Sequence, residues 1–382
     1  RVIRMAREPL EVFQMSEESR MEASRVKAFR MNGVVDKSAV NGFLDELMGV
    51  GQVFAPALQD DILCLAPLNS TDEISRGMEA LDRLVNTRQA PKELFFPRSE
   101  VLFSYRDGKV IPVELPDDRR VVFAMRPCDA RSAVLLDHVF DADPDETSAS
   151  GASFQDPYYM NRRRNTVLMG LACNQPLSTC FCTSVGGGPF STDGLDVLWT
   201  DLGDRYLVEA ITGQGEALIA NSPHMREASS EDVGRKAELS ARAVDAVSGP
   251  DVQGVKEKLD GMYDSPFWQN VHLKCLGCGA CTYLCPTCHC FDIQDEGDRR
   301  QGRRVRNWDT CQFSLFTLHT SGHNPRTSGK ERMRQRMMHK FNYFVENFDA
   351  IACVGCGRCV RECPVNLDIR TVLDGIKEAE EG

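Results

Sequence analysis

The chain has 382 residues, of which 42% are hydrophobic and 26% charged; this is ordinary globular composition, so long disorder is excluded and two domains are expected. A net charge of −11 argues against nucleic-acid binding, whose footprint is a basic surplus. No stretch approaches the roughly 18–20 apolar residues that a membrane span needs.

In chain order, residues 1–30 are charged and rich in Met and Arg, with no apolar signal-peptide core. They read as a frayed or partner-bound leader on a cytoplasmic protein. Val40, Phe43, Leu44 and Leu47 recur at helical spacing and predict a helix over Asp36–Met48. Strand-like runs follow at Gln52–Ala57 and Ile62–Leu65, then a helix over Glu73–Val85. Arg120–Met125 and Asn165–Leu171 read as buried strands. Leu195–Thr200 and Arg205–Ile211 read as a hairpin across Asp201-Leu202-Gly203-Asp204. Residues 31–215 are therefore expected to form an α/β domain, and 216–270 a helical linker. Residues 271–382 are expected to form a mainly α domain with few strands. In it, Ser328 and Glu331 fit a capping box ahead of an apolar stripe through Met333, Met337, Phe341, Phe344 and Phe348. Ile369, Val372, Leu373 and Ile376 form a second stripe, and both stripes read as core.

Sixteen cysteines are many for a chain of this class, and neither size nor targeting fits a secreted disulfide framework. Their spacing points to metal. Cys275, Cys278, Cys281 and Cys285-Pro286 form a C-x₂-C-x₂-C-x₃-C-P run, repeated as Cys353, Cys356, Cys359 and Cys363-Pro364. Such runs hold [4Fe–4S] clusters in two-cluster ferredoxins, where the fourth cysteine ligates the other cluster. The expected sets are Cys275, Cys278, Cys281 and Cys363 for one cluster, and Cys353, Cys356, Cys359 and Cys285 for the other. Structural zinc would use separate Cys-x₂-Cys pairs without the trailing Cys-Pro.

Cys128 follows one predicted strand and Cys173 another, with Cys180 and Cys182 just beyond. Open α/β sheets collect ligands at the carboxyl ends of their strands. These four cysteines are thus placed to hold a third [4Fe–4S] cluster, the alternative being inert buried cysteine. Cys288, Cys290 and Cys311 are left unassigned: with His289 they could ligate another metal or tune the cluster potentials, and a substrate site of this chain's own would lie near Cys288, Cys290 and His289. Cys64 reads as core. Between Arg299 and Lys340 there are eleven Lys/Arg against two acids. Arg299, Arg300, Arg303, Arg304 and Arg306 would offset anionic clusters, form a docking face for an acidic partner, or simply be solvated. No phosphate-binding glycine loop and no catalytic triad is evident, so catalytic residues are none and electron transfer is indicated. A cluster-based redox sensor is the alternative class, for which no attached signalling or DNA-binding module is evident.

Taken in order, the segments Arg126-Pro-Cys-Asp129, Cys180-Phe-Cys182, Cys285-Pro-Thr-Cys-His-Cys-Phe-Asp292, Trp308-Asp-Thr-Cys-Gln-Phe313, Ser321-Gly-His-Asn324 and Cys353-Val-Gly-Cys-Gly-Arg-Cys359 resemble one family. It is the beta, iron–sulfur, subunit of cytosolic sulfhydrogenases and NAD(P)-linked nickel–iron hydrogenases. The A subunit of anaerobic sulfite reductases and the iron–sulfur subunit of flavin oxidoreductases paired with heterodisulfide reductase are similar. The resemblance covers roughly residues 50–370 and favours the third cluster. It implies a flavoprotein NAD(P)H-oxidoreductase partner that carries the flavin, together with a further redox subunit in an anaerobic complex. The 67-residue gap between the runs resembles α-helical ferredoxin domains.

Overall fold

The computed structural model describes residues 32–141 and 155–379. The expected leader lies outside them. The larger sheet has eight strands in the order β10-β1-β9-β8-β7-β6-β2-β3. They are β1 (Asn32–Asp36), β2 (Gln52–Gln59), β3 (Ile62–Pro67), β6 (Arg120–Met125), β7 (Thr166–Leu171), β8 (Val197–Asp201), β9 (Arg205–Ala210) and β10 (Arg226–Glu227). The middle four, β2, β6, β7 and β8, run parallel. The outer pairings β2–β3, β8–β9, β1–β9 and β1–β10 are antiparallel.

Parallel strands covered on both faces need apolar residues at every position. All six residues of β7 are buried. Alternate residues then divide between two cores. Val121, Phe123, Val167, Met169, Val197 and Trp199 pack beneath α1 (Val40–Val50) and α2 (Ile74–Leu84). Val122, Leu168 and Leu198 face α3 (Pro127–Phe140) and α4 (Pro157–Arg164) on the other side. Trp199 anchors the first core, edge-on to Phe43 at 5.0 Å and to Phe123 at 5.2 Å.

The region expected as a helical linker holds α5 (Gly213–Ile219), α6 (Ser230–Asp245), α7 (Val255–Asp260) and α8 (Phe267–Val271), interrupted by β10. Beyond it come α9 (Ala280–Tyr283), α10 (Gly329–Met338), α11 (Phe344–Phe348), α12 (Arg358–Arg361) and α13 (Ile369–Glu378). The Ser328–Glu331 capping box is present. Met333, Met337, Phe341 and Phe344 are buried as the stripe predicts, and so are Ile369, Val372, Leu373 and Ile376. Residues 339–343, between α10 and α11, form a π-helical turn.

Among the described residues this half has two strands, few as expected, but they are not confined to it. β11 (Phe291–Gly297) and β12 (Gln301–Trp308) form a hairpin. It joins β4 (Ser99–Arg106) and β5 (Lys109–Pro112) in a four-stranded antiparallel sheet ordered β11-β12-β4-β5. β12 pairs with β4 along its length, so the two halves share a sheet. They also share a core, in which Phe181 and Val185 pack with Trp268, Met337, Phe341 and Leu373.

A buried ion pair pins the halves together. Arg358 on α12 is fully enclosed and grips the Asp129 carboxylate of α3 at 2.6 and 2.8 Å. Its Nε donates to the Thr87 carbonyl at 2.7 Å. Removing one partner from such a pair strands a buried charge, which typically costs about 3–5 kcal/mol. Asp129→Ala should therefore lower the urea unfolding midpoint sharply, whereas pairing it with Arg358→Met should recover most of the loss.

Candidate metal centres

Three groups of thiols line enclosed spaces or gather at one point. In the first, the loop from Cys275 to Gly279 leads into α9, and the opposite wall comes from the second run. Cys275, Cys278, Cys281 and Cys363 line one pocket, with Met333 and Arg336. Backbone amides already point at sulfur here: Gly277 N–H donates to Cys275 Sγ at 3.4 Å and Leu367 N–H to Cys363 Sγ at 3.2 Å. Cys278 is exposed.

Cys353, Cys356, Cys359 and Cys285 gather in the second group. The Cys353, Cys356 and Cys359 thiols each lie in the field of Cys285. Burial pushes the Cys353 thiol up to about 11, against the pull of Lys340. Gly355 N–H approaches Cys353 Sγ at 3.5 Å. The Lys340 ammonium, carried on the π turn, sits 3.3 Å from Cys285 Sγ and donates to Thr287 Oγ1 at 3.1 Å and to the Ala352 carbonyl at 2.9 Å.

The third group forms at the carboxyl ends of the parallel strands. Arg126 caps α3 just after β6, its guanidinium donating to the Ala172 carbonyl at 2.8 Å and to the Val85 carbonyl. Cys128 opens α3, Cys173 follows β7, and Cys180 and Cys182 come from the next loop. All four line a pocket whose wall also includes Gly355 and Cys356. Burial pushes the Cys182 thiol up to about 12. The second and third groups are thus separated only by the backbone of the second run. That closeness needs glycine: Gly355 and Gly357 have φ of +62° and +74°. A Cβ on Gly355 would lie 2.5 Å from Cys182 N, and one on Gly357 would lie 2.7 Å from Thr179 O.

The cations near these thiols differ from those read in the sequence. Arg303 and Arg304 pair across the hairpin with Glu296 and Asp295, each at 2.8 Å. Arg306 is buried against Glu100 and Asp156. Arg299 and Arg300 are exposed at the β11–β12 turn. The charge-offset reading of this segment is corrected: cross-strand carboxylates hold Arg303, Arg304 and Arg306. Its place is taken by Arg336, Lys340, Lys92 and Arg358, which sequence reasoning did not single out.

Arg336 is 3% exposed and its Nε has no acceptor. Burial opposes its charge, but Cys281, Cys359, Cys288 and Cys311 outweigh that and raise its pKa. It therefore faces both C-terminal groups at once. Lys92 is 4% exposed, and burial lowers its pKa against the pull of Cys288, Cys285 and Cys290. One signal was available. The position before the third cysteine is Ala280 in the first run but Arg358 in the second.

Of the unassigned cysteines, Cys288 lies against Cys285, and Cys290 lies against Cys311. His289 is held through Nδ1 by the Thr287 carbonyl at 3.1 Å, and burial pushes its pKa down to about 4. Cys64 is buried, as expected of a core residue. Among the described residues, no three His, Cys, Asp or Glu side chains converge on a single-ion site. What the structure offers is spaces ringed by thiols.

Residues 274–367 match the 4Fe-4S dicluster domain family. The chain is 32% identical over 339 residues to sulfhydrogenase 2 subunit beta of Pyrococcus furiosus, covering 88% of this chain and 95% of that protein. No solved structure matches. Among the described residues no helix is long and apolar enough to cross a membrane. Paired cysteine runs, the dicluster match and this relative define an iron–sulfur electron-transfer subunit, part of an oxidoreductase complex. The chain belongs to the sulfhydrogenase beta subunit family.

Thiol burial differs between the groups, and alkylation reads it directly. In iron-free protein, exposed Cys278 should react with iodoacetamide at least about tenfold faster than buried Cys353 or Cys356, because reaction requires an accessible thiolate. Time-resolved peptide mass spectrometry measures the order.

Proposed function

We propose that this subunit relays single electrons between a flavoprotein NAD(P)H-oxidoreductase subunit and a further redox subunit of hydrogenase, sulfite reductase or heterodisulfide reductase type, in a cytoplasmic, anaerobic complex. The observation that carries the reading is Arg336. A buried guanidinium whose Nε lacks an acceptor is costly unless anions surround it. Its strongest neighbours include Cys281 and Cys359, one from each of the two sets proposed below, which supports the reading.

The proposed ligands are Cys275, Cys278, Cys281 and Cys363 for the first cluster. Cys353, Cys356, Cys359 and Cys285 serve the second. Cys128, Cys173, Cys180 and Cys182 serve a third. Bound [4Fe–4S] clusters supply reversible one-electron chemistry over a span of roughly −700 to +450 mV. This chain's own residues set where in that span each site lies. Arg336 and Lys340 favour added negative charge beside Cys281, Cys359 and Cys285, and the Gly277 and Gly355 amides donate to sulfur. The fit is chemical: N–H groups reach Cys275, Cys363 and Cys353, and the Lys340 ammonium reaches Cys285.

The test is anaerobic purification with iron analysis and EPR of the reduced protein. Cys278→Ala should lose about four irons per chain, and so should Cys180→Ala, each sparing the other signals, because each cluster holds four. Protein carrying zinc and no reducible centre would end the reading, and a Cys180→Ala variant with full iron would remove the third site.

The first site is also where a partner would dock. Leu273, Leu276 and Leu315 are 70%, 69% and 72% exposed around Cys278. The segments 265–291 and 310–330 contain no Asp or Glu at all, yet carry Lys274, Arg326 and Lys330. They adjoin one another, with Gly279 against Phe313 and Gly329 against His272. An exposed apolar centre flanked by Lys274, Arg326 and Lys330 suits an acidic redox protein. Leu276→Asp with Leu315→Asp should slow electron exchange with an acidic ferredoxin by at least about tenfold. Stopped-flow reduction of methyl viologen by the same variant should be unchanged.

A further inference from the structure

An open cavity of about 540 Å³ lies apart from the thiol groups, at the β3 edge of the eight-stranded sheet and beside the helical turn Pro91–Leu94. That size suits a small-molecule ligand. The edge itself supplies polar groups. β2 and β3 are joined through Asp60 and Asp61, whose φ values are 48° and 60°. A two-residue turn of this kind makes Gln59 and Ile62 a hydrogen-bonded pair, so Cys64 and Ala66 also bond towards β2. Leu63, Leu65 and Pro67 then direct their backbone groups to the free edge, and the Arg88 N–H meets the Leu63 carbonyl there at 2.9 Å. The Leu63 carbonyl is thereby taken, and Pro67 has no N–H. Leu65 retains both a donor and an acceptor, and among the described residues neither has a backbone partner. One such residue is too little to seat an added strand, which bonds at alternate residues. It is enough for the polar edge of a heterocycle.

The rest of the wall is cationic. Arg98, Arg120 and Arg162 line the cavity, against one acid, Glu93. Arg98 pairs with Glu93 at 2.9 Å, and Arg162 pairs with Glu100. Arg120 forms no ion pair among the described residues. Its Nη1 donates to the Leu94 carbonyl at 3.3 Å, and its guanidinium lies over the Phe54 ring at 6.0 Å. Burial and the neighbouring Arg162 lower its pKa against the pull of Asp118. A guanidinium crowded by a second one, with its Nε and Nη2 free of acceptors among the described residues, is suited to the fork of a phosphate. β2 lies between β6, which carries Arg120, and β3, so half-buried Phe54 stands between the guanidinium and the Leu65 edge. Two strand spacings, about 10 Å, separate β6 from β3. A nucleoside spans a comparable distance from base to phosphate.

We propose that this cavity binds a nucleoside diphosphate. The phosphates bond to Arg120 in the field of Arg98 and Arg162, the base lies against Phe54, and the polar edge of the base meets the Leu65 N–H and carbonyl. The site is one of binding, with no bond made or broken, and it stands apart from the relay reading. It is also connected to the thiol-rich half: the turn that walls it carries Lys92, whose ammonium donates to the Cys288 carbonyl at 2.7 Å.

Isothermal titration of the full chain with ADP tests the proposal, with adenosine and inorganic pyrophosphate as the separate halves of the ligand. ADP should bind with a Kd below about 1 mM, and each half at least about tenfold more weakly. Arg120→Gln should weaken ADP binding at least about tenfold, the typical worth of one charged hydrogen bond. Arg98→Glu, at an exposed position where the fold is not at stake, should weaken it too. A Kd for ADP above about 1 mM would overturn the site. Pyrophosphate binding as tightly as ADP would overturn the nucleoside assignment, and unchanged ADP affinity in both variants would place any binding elsewhere.

Discussion

Four cations are buried where a protein can least tolerate them. Lys92, Arg336, Lys340 and Arg358 are each 5% exposed or less, and of the four only Arg358 meets a carboxylate. Desolvating a charge costs several kcal/mol even after relaxation, and leaving it unpaired adds to that. Such residues persist only where compensating negative charge is present. Here the neighbours are thiols, neutral as free cysteine when burial raises their pKa and anionic when they ligate metal. If these sulfurs ligate metal as proposed, the interior would close around anionic sulfur, and the stability of this half of the chain would follow cofactor loading. The dicluster match and the sulfhydrogenase relative point to the same chemistry from independent directions.

Local backbone irregularities serve that electrostatic arrangement. The π turn at residues 339–343 inserts into an otherwise regular apolar helix and leaves both Lys340 and Phe341 buried. Uninterrupted helical spacing would swing adjacent residues about 100° apart and could not direct both inward so easily. At the other end of the second run, positive-φ glycines bring the Cys353–Cys359 backbone against the Thr179–Cys182 loop, and Phe181 N–H donates to the Gly355 carbonyl at 2.8 Å. The N-terminal α/β half thereby contributes directly to the enclosure of the C-terminal thiols.

The sequence was most legible where chemistry forces a spacing. The two cysteine runs, the capping box at Ser328 and the apolar stripes of α10 and α13 are local patterns, and they place residues without knowledge of the rest of the chain. The parallel strands β6 and β7 were legible too, because burial on both faces leaves an unbroken apolar run. Pairing between β4 and β12 was not. It joins Ser99–Arg106 to residues about two hundred positions later, and β11 is exposed along its whole length, so it lacks an apolar signature. The arginine-rich stretch at 299–306 misled for the same reason: its partners Glu296 and Asp295 lie across a hairpin turn, and Glu100 lies in the other half. The functionally placed cations were equally hidden. Lys340 sits inside an apolar stripe, where a lone lysine reads as a solvent-facing interruption.

The three thiol groups are linked through shared neighbours. Arg336 stands between the first and second groups, touching the field of Cys281 and of Cys359. Gly355 and Cys356 stand between the second and third. The first group opens to solvent at Cys278, amid exposed leucines, while in the second Cys353 and Cys356 are buried and Cys285 and Cys359 are half-buried. In the proposed relay the middle site is reached only through its neighbours, so the enclosed cations around it govern passage between the ends. Lys340 and Arg336 act on the middle site at close range, and burial keeps salt from screening them. Ionic strength would therefore act on docking at the first site, whose charges face water, and leave the internal energetics nearly untouched.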